Sequence, residues 1–500
     1  MDKHYEYTEL GNAKRFVDFT EGDYKWVRES NEWYRWDAEM SRWKPDIDFS
    51  ANREIEIVLK SIQSEIDELM KNKPDEDASK DEIKAFYSQI KEINRWRKTS
   101  QSFRSIEAML QLARTQPGMA VPAATFDSKG HYLGVVNGII DLRSGELHQG
   151  KKEFLMTKSA SVVYEAIATC PQWRQFVLTI MEGDEEKAAF IQRLIGSCAV
   201  GRRSEKFVFL YGRSGQNGKS TLIDTVKDIL GDYAVVGEPK TMLGDKGTRE
   251  YHLATWIGKR MLLFNESTRK EVALAEPLIK MSTDSGEVSA RHPAGRPFNY
   301  QPLFTPVYAV NHLPSASMDP ALWRRLVIVP FHYRFPDDQK DPTWRDRILK
   351  EEGAGILNWI IEGANAYLAD GLQVPESITD FTEGCKSEMD AISTFIEDTY
   401  FKVSTEKIKA SDMRRQFITW CIDNGYKQNY SAQNFRRELE DRGYVVQKGT
   451  GNYRYVHGLS DSPAASVKKD PESKFFNTEP SDVTSTLSDT FRALRGAEAE

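Results

Sequence analysis

Cysteine is scarce in this chain of 500 residues, and long apolar runs are missing. The four cysteines, Cys170, Cys198, Cys385 and Cys421, form no C-x-x-C pair. This pattern provides neither a zinc-binding pair nor a disulfide framework, and it suits a reducing compartment. No stretch of 18 apolar residues occurs, and the amino-terminal MDKHYEYTEL lacks the apolar segment of a signal peptide. We therefore expect a soluble cytoplasmic protein that does not associate with a membrane.

An excess of positive charge is also absent, as is any internal repeat. Lys and Arg total 68 against 75 Asp and Glu, which gives a net charge of −7. This balance argues against a chain that coats nucleic acid over its whole surface, but it leaves room for a local basic site. The length predicts two to four domains.

The first two hundred residues divide into three regions by composition and periodicity. Residues 1–50 are rich in aromatic residues and predict a small β region with a tryptophan core, and residues 51–118 have an apolar stripe at helical spacing. Residues 119–205 include YLGVVNGIIDLRSGEL, which predicts strands separated by turns at Asn137-Gly138 and Ser144-Gly145, and they continue into two helices. Together these regions predict an amino-terminal α+β part.

The remainder predicts an α/β core followed by smaller units. Between residues 206 and 335, the short apolar runs FVFLYG, RMLLFNE, PVYAVN and RLVIVPF alternate with helices, as in a buried parallel sheet. Residues 336–392 predict a helical connector. Residues 393–459 predict two helices followed by a two-stranded wing that turns at Gly449-Thr450-Gly451, and the polar residues 460–500 predict a disordered tail.

The stretch YGRSGQNGKSTL, residues 211–222, predicts a phosphate-binding loop because it lies between a strand and a helix. Backbone N–H groups and the helix dipole favour phosphate there, so we expect ATP to bind. Lys219 would reach the β- and γ-phosphates, and Ser220 would bind Mg²⁺. The residues predicted to contact the nucleotide are Gly212, Gly215, Gln216, Asn217, Gly218, Lys219, Ser220 and Thr221.

The first glycine of this loop does not fit the usual G-x-x-x-x-G-K-[ST] spacing. Counting back from Gly218-Lys219, Arg213 stands where a glycine is expected, with Gly212 and Gly215 on either side. One explanation is a loop that is one residue longer on its strand side, with Gly215 supplying the turn.

Three further strand or helix ends carry residues suited to hydrolysis. Glu266 ends an apolar strand and could hold Mg²⁺ or polarise water, although many strands end in Glu. Asn311 ends another and could orient water, or simply begin a turn. Arg324 and Arg325 follow a short helix; one could spread transition-state charge from a neighbouring subunit, or both could be surface residues at a helix end.

These motifs in this order resemble the superfamily 3 helicases of phages, plasmids and large DNA viruses, in particular the phage/plasmid primase–helicase type related to the poxvirus primase-helicase. The motifs are NGKST, the acid at 266, a helix ending at Lys280 before STDSGEVSAR, then VNHLP and LWRRLVIVPF. FDSKGHYLGVVNGIIDLRSGEL and CPQWRQFVLTIMEGD resemble the pre-helicase domain of that family. The resemblance covers residues 5–460 and implies an AAA+-like P-loop core.

The resemblance implies a ring, a hexamer in the family, that hydrolyses ATP between subunits and moves along single-stranded or forked DNA. Lys219, Glu266, Asn311 and either Arg324 or Arg325 would be catalytic. ARHPAGRPF falls where the family has a pore hairpin, so Arg291, His292 and Arg296 are candidate DNA contacts.

Two departures from the family pattern stand out. Thr283-Asp284-Ser285-Gly286 replaces the usual Thr-Gly-Gly-Asp before the hairpin. The first 120 residues contain no Asp-x-Asp on a predicted strand and no zinc-knuckle cysteines, so we expect no primase activity and leave room for a separate primase or polymerase.

The segment 402–457 holds eleven Lys and Arg against six Asp and Glu, which is a local positive surplus. We interpret it as a winged-helix DNA-binding domain in which Arg436, Arg437 and Lys448 contact DNA. Winged helices also bind proteins, so this alternative stays open. The predicted function is an ATP-dependent helicase of phage, plasmid or mobile-element replication, in a bacterial host cell. The alternative is a DNA-binding initiator or nucleotide switch without processive unwinding.

Overall fold

The structure is a computed structural model in which two compact units are separated at Met389–Asp390. The described residues are 5–75, 77–213, 215–238, 249–265, 274, 276–284, 286–291, 297–314, 316–339, 341–424, 426 and 431–462.

The first unit opens with a helix and a three-stranded meander. Thr8 caps the first helix by accepting a hydrogen bond from the Gly11 amide. The meander places Trp26 opposite Trp33, and the Arg114 guanidinium lies 3.5 Å from the Trp26 ring centroid. The tryptophan core expected from the composition is therefore present, with a helix packed beside it. The elements are α1 (Glu9–Phe19), β1 (Tyr24–Val27), β2 (Glu32–Asp37), β3 (Arg42–Pro45), and β4 (Ala120–Val121), which pairs with β1 in parallel.

Four helices follow the meander, in the region where the apolar periodicity predicts helical structure. Ser79 and Glu82 form a reciprocal capping box at the start of the longest of the four. The segment directly after β3 contains an Asp-x-Asp, the pattern of primase catalytic residues, at Asp46 and Asp48. Both carboxylates have structural partners. Asp46 accepts hydrogen bonds from the Ser50 and Ala51 amides, and Asp48 pairs with Arg53. The helices are α2 (Ser50–Arg53), α3 (Ile55–Lys71), α4 (Lys80–Thr99) and α5 (Phe103–Ala113).

The region after residue 119 has three short antiparallel strands and two helices. The pairing of Val135 with Gly138 leaves Val136 and Asn137 as the two-residue turn, one residue before the predicted position. Asp184 caps the second helix through the Lys187 amide. The elements are β5 (Tyr132–Val135), β6 (Gly138–Asp141), β7 (Glu146–His148), α6 (Pro171–Ile180) and α7 (Glu185–Ser197).

A five-stranded parallel sheet forms the centre of the first unit. All four strands predicted from the apolar runs lie in it, in the order β14-β8-β13-β10-β9. Alternate residues face opposite sides: Phe207 and Phe209 pack in one apolar core, and Val208 and Leu210 pack in the other. The strands are β8 (Phe207–Tyr211), β9 (Ala234–Val236), β10 (Met261–Asn265), β13 (Thr305–Val310) and β14 (Leu326–Pro330). The predicted mixed α/β, multidomain fold with a parallel sheet is confirmed.

Helices and a hairpin complete the first unit. Gly196 and Gly363 meet where two long helices cross, and a Cβ on Gly196 would lie 2.1 Å from the Gly363 carbonyl carbon. These glycines therefore permit the close approach. The elements are α8 (Lys219–Leu230), α9 (Arg249–Ala254), α10 (Glu276–Thr283), β11 (Val288–Ala290), β12 (Phe298–Tyr300), α11 (Pro320–Trp323), α12 (Trp344–Asp370) and α13 (Glu376–Met389).

The second unit, from Asp390 onward, packs three helices against a three-stranded antiparallel sheet of order β15-β17-β16. Its core includes Phe395, Phe417 and Phe435. Arg442 joins two helices by pairing with Asp390 and Glu438, both at 2.7 Å. The elements are α14 (Ala391–Thr399), β15 (Phe401–Lys409), α15 (Ala410–Asp423), α16 (Ala432–Asp441), β16 (Val446–Lys448) and β17 (Arg454–Ser460).

The helices and the two paired strands β16 and β17 lie where the sequence predicts them, whereas β15 was not anticipated. The predicted tail falls outside the described residues from 463 onward. Within the described ranges, no helix combines the length and apolarity needed to cross a bilayer.

Candidate nucleotide site

The loop 212–218 connects β8 to α8 at the carboxyl edge of the parallel sheet. Among the described residues of this loop, the left-handed ones are Gln216, with φ of 67°, and Gly218, with φ of 80°. Gly218 is the N-cap residue of α8, so the helix begins at Lys219 with its first amides at the loop. Gly215 has no positive φ, so the turn expected from it is supplied by Gln216 and Gly218 instead.

Gly212 lies where three segments converge, and no side chain fits there. Its amide donates to the Val310 carbonyl at 3.2 Å, which ties the loop to β13. A Cβ at this position would lie 2.3 Å from Asn217 Nδ2, 2.7 Å from the Phe331 carbonyl oxygen and 3.0 Å from Lys219 Nζ. The unusual glycine position is therefore required by close packing of backbone and side chains.

Lys219 is buried at the loop with its ammonium directed toward the edge of the sheet. Its Nζ donates to the Gly212 carbonyl at 3.0 Å and to Asn311 Oδ1 at 3.0 Å, and the residue is 5% exposed. Asn311 follows the last residue of β13, the strand next to β8. The structure thus brings two of the predicted catalytic residues together.

Asn217, Ser220 and Thr221, which are also predicted to contact the nucleotide, lie at this end of α8. Asn217 is buried, and its Oδ1 lies 3.5 Å from the Lys219 amide nitrogen. Ser220 is exposed in the first turn of α8, and Ser220 and Thr221 both line a cavity beside the loop. A hydroxyl in this position is free to face a phosphate or a metal ion.

Glu266, predicted to be the second-motif acid, lies outside the described residues. The residue before it, Asn265, ends β10 and pairs with Ala309 of β13. The described ranges contain no group of three metal-ligating side chains.

The two arginines after α11 occupy different environments. The Arg325 guanidinium is almost completely buried; it pairs with Asp284 at 3.1 Å and donates to the Ala321 carbonyl. Arg324 is exposed, and its backbone carbonyl accepts a hydrogen bond from Lys206 Nζ at 2.7 Å. The Arg325 side chain is therefore held by contacts within its own chain, while the Arg324 side chain is accessible at the surface.

A second ion pair fixes α10 to α11. Lys280 Nζ hydrogen-bonds the Asp319 carboxylate, which also caps α11 by accepting from the Ala321 amide at 2.7 Å. The hydrogen bond from Lys280 holds the pKa of Asp319 below its usual value, and the charge of Arg325 acts in the same direction. The segment around Asp284 and Lys280, where the sequence departs from the family pattern, thus positions the arginine pair.

Two short antiparallel strands, β11 and β12, stand on either side of the segment predicted to be the pore hairpin. Arg291 follows β11, donates to the Tyr251 hydroxyl at 3.0 Å and lies 5.3 Å from the Tyr251 ring centroid. His292 and Arg296 lie outside the described residues.

In the second unit, the residues predicted to contact DNA differ in whether their side chains are ion-paired or exposed to solvent. Arg436 pairs with Glu440 at 3.5 Å on α16, whereas Arg437 is exposed, as is Lys448 on β16. The neighbouring strands add positive charge that the sequence pattern did not single out: Lys409 Nζ lies 4.6 Å from the Tyr453 ring centroid, and Lys407 Nζ lies 4.9 Å from that of Tyr455.

Sequence reasoning missed the aromatic residues beside the loop. Phe176, Phe335 and Trp344 line the cavity that Ser220 and Thr221 also line. Phe176 lies more than 150 residues before Phe335 and Trp344, so no local spacing connects it to them. The sequence did contain one indication of this cavity, because Gln172, Gln175 and Thr179, which line it, share one face of α6.

Comparison with known proteins assigns two parts of the chain to families. Residues 13–182 match the family described as D5 N terminal like, and residues 210–325 match a family of unknown function, DUF5906. These two matches confirm the resemblance to the phage-type primase–helicases that was drawn from the motifs.

The individual relatives are viral proteins that carry helicase names. The chain is 24% identical over 332 residues to "Putative helicase L207/L206" of Acanthamoeba polyphaga mimivirus, and 23% identical over 266 residues to "Putative helicase 022R" of Frog virus 3 (isolate Goorha). These matches cover 61% and 48% of this chain but 34% and 27% of the relatives, so the chain spans about a third of their length.

Among solved structures, the chain is similar to "The A form apo structure of NrS-1 C terminal region-CTR". The sequence identity is 10%, the TM-score is 0.46, and the match covers 92% of this chain and 100% of that one.

Proposed function

We propose that this chain is an ATP-dependent DNA helicase of superfamily 3 that acts in phage, plasmid or mobile-element replication. The observation that carries the proposal is the buried Lys219 ammonium, held between the Gly212 carbonyl and the Asn311 amide oxygen at the start of α8. A lysine at a helix N-terminus, beside a polar amide at the tip of the adjacent strand, suits nucleotide hydrolysis. A helicase-type enzyme is in keeping with the viral relatives.

The loop supports binding of the ATP phosphates. The first amides of α8 point toward the loop, and the helix dipole places positive potential there. Gly212 leaves room for the Asn217 side chain and the Lys219 ammonium to pack against the loop backbone, which holds the ammonium where it can meet a phosphate. When phosphate enters, Lys219 Nζ would exchange its present oxygen partners for phosphate oxygens.

Asn311 is proposed to orient the attacking water. Its side chain already lies within hydrogen-bond distance of the ammonium that would contact the γ-phosphate. An uncharged amide can both accept and donate, so it can hold water in line without adding negative charge near the phosphates.

Mg²⁺ would supply charge neutralisation of the β- and γ-phosphates. Ser220 in the first turn of α8 is the proposed ligand within the described residues, and Glu266 remains the predicted acidic partner. The exposed Ser220 hydroxyl fits this role, since it shares the cavity beside the loop.

Arg324 is the proposed residue that acts on the nucleotide of the next subunit. A residue acting between subunits has to be accessible, which Arg324 is, whereas Arg325 is buried and paired with Asp284. A guanidinium spreads transition-state charge and cannot lose its proton. We therefore propose a homo-oligomeric ring, a hexamer by family resemblance, with an AAA+-like core.

DNA would be bound at two places. Arg291, with His292 and Arg296, is proposed to contact the strand in the ring. The second unit, interpreted as a winged helix, is proposed to contact the DNA backbone through Arg437 and Lys448, with Arg436 partly held by Glu440.

The test measures DNA-stimulated ATP hydrolysis by the wild-type protein, by Lys219→Ala alone, by Arg324→Ala alone, and by a mixture of the two variants. The rate of ATP hydrolysis of each variant alone should be about a thousandfold or more below that of the wild type, as for removal of comparable transition-state groups. The mixture should recover activity, because a Lys219→Ala subunit still offers Arg324 to the intact loop of an Arg324→Ala neighbour. Full activity of Arg324→Ala alone, or no recovery in the mixture, would contradict action between subunits.

A further inference from the structure

A cavity of about 580 Å³ opens beside the first turn of α8, and its size is that of small-molecule sites. One wall is the face of α6 that carries Gln172, Gln175 and Thr179. Another is the start of α8 with Ser220 and Thr221. The phosphate loop and this cavity are therefore continuous.

Three aromatic side chains give the cavity an apolar wall. The ring centroids of Phe176 and Trp344 are 4.8 Å apart, and those of Phe176 and Phe335 are 6.1 Å apart with nearly parallel planes, at 13°. All three rings are only partly buried, so part of each remains accessible. Every nucleobase has a face that can stack on such a surface.

Phe176 also touches the loop itself. A Cβ on Gly218 would lie 3.3 Å from the Phe176 ring, so the aromatic wall lies directly against the last loop residue before α8. The helix that carries Phe176 is held firmly, because both carboxylate oxygens of Glu352 on α12 accept hydrogen bonds from the Gln172 and Trp173 amides, each at 3.0 Å.

We infer that this cavity binds the base and ribose of the nucleotide, with the base stacked on Phe176 and Trp344. The inference rests on the proposed binding of ATP phosphates at the loop. A phosphate chain held at Gly218 and Lys219 places the nucleoside on the side of Ser220 and Thr221, where the cavity lies. The amides of Gln172 and Gln175 supply both donors and acceptors for the base edge.

The site would thus be divided between two parts of the chain. The aromatic face on α6 belongs to residues 13–182, which match the D5 N-terminal-like family, whereas the loop belongs to residues 210–325. Nucleotide binding would consequently press α6 against the loop.

The test compares ATP with inorganic tripolyphosphate, which has the phosphates but no base. Dissociation constants of both are measured by calorimetry on the full chain for wild type, Phe176→Ala and Lys219→Ala. Phe176→Ala should weaken ATP binding about tenfold or more, the effect of losing one base–aromatic stack, and leave tripolyphosphate binding unchanged. Lys219→Ala should weaken both ligands.

Phe154→Ala is the matched control, since it removes an equally large, half-buried ring of the same unit outside the cavity. Unchanged ATP affinity in Phe176→Ala, or equal weakening of ATP and tripolyphosphate, would overturn the base site while the loop proposal stands. Failure of the wild type to bind either ligand would overturn both.

A second readout needs no variant of Phe176. Light-activated 8-azido-ATP on the wild-type protein should label peptides that contain α6 or Trp344, and excess ATP should prevent the labelling. Labelling confined to other peptides would overturn the inference.

Discussion

At the scale of single residues, the loop depends on a glycine that the usual motif spacing does not predict. Gly212 is enclosed by Asn217, by Lys219 and by the backbone carbonyl of Phe331, the residue directly after β14. The Phe331 amide in turn donates to the Tyr211 carbonyl at 2.7 Å, so this neighbour cannot withdraw without breaking a sheet hydrogen bond.

Gly212→Ala should therefore displace the Asn217 and Lys219 side chains and weaken ATP binding by at least about tenfold, because the predicted contact distances lie far below van der Waals separation. Gly384→Ala is the matched control, since no atom lies within 4 Å of its Cβ position beyond its own helix, and it is exposed on α13, outside the loop 212–218. Calorimetric titration with ATP measures both. Equal affinities for the two variants would show that Gly212 is not a constraint on the site.

The sequence identified Lys219 and Asn311 because a loop between a strand and a helix, and a polar residue after a strand, are local patterns. It could not reveal what crowds Gly212, since Phe331 is more than a hundred residues away. It also could not separate Arg324 from Arg325, because their difference arises from the ion pair that only Arg325 makes with Asp284.

At the scale of elements, α10 and α11 are joined by charged contacts that orient the arginine pair. Lys280 with Asp319 and Asp284 with Arg325 connect the two helices, and the Gly286 carbonyl accepts from Arg203 at 2.7 Å. These contacts place Arg324 at the surface by holding its neighbour inside.

Arg325→Ala should lower the free energy of unfolding by roughly 1–3 kcal/mol, since the buried guanidinium leaves behind its carbonyl and carboxylate partners and a loss of packing. Arg324→Ala, the neighbouring control, should change it by no more than about 0.5 kcal/mol because its side chain is exposed. Urea denaturation followed by tryptophan fluorescence measures both. The reverse order of stability would contradict the division of roles between the two arginines.

The second unit makes a separate prediction about DNA. Arg437→Ala combined with Lys448→Ala should weaken duplex binding and reduce the salt dependence by roughly two phosphate contacts, about one for each residue. Fluorescence anisotropy at several salt concentrations measures this slope. Lys71→Ala with Lys386→Ala is the control, because it removes the same charge from two ion-paired lysines of the first unit, one exposed and one half-buried. An unchanged slope in the Arg437 and Lys448 variant would favour a protein-binding role for the unit.

Elements with one strong local pattern were predictable, including the four apolar strands and the helices around the loop. Strand β15 was not, because the polar run Ser404–Lys407 follows Phe401 and Val403, so that no apolar face continues along the strand, and because it is specified by pairing with β17. The contact of Glu352 with the start of α6 was equally hidden, since the two residues it caps are about 180 positions earlier.

At the scale of the whole molecule, the site is assembled from distant parts of the chain and is proposed to be completed by a second copy. The loop and Asn311 come from the central sheet, the aromatic wall from α6 and α12, and Arg324 faces outward. Binding energy gained at such a composite site can be coupled to movement of one part against another, which is what a DNA motor requires.

The proposed unwinding is tested most directly by strand displacement on a forked DNA duplex, with ATP and Mg²⁺, using wild-type protein and Lys219→Ala. We expect the wild type to hydrolyse ATP faster when DNA is added and to release the displaced strand, while Lys219→Ala binds the fork and does neither. DNA-stimulated hydrolysis without any displaced strand would contradict the helicase function and favour a nucleotide-controlled initiator.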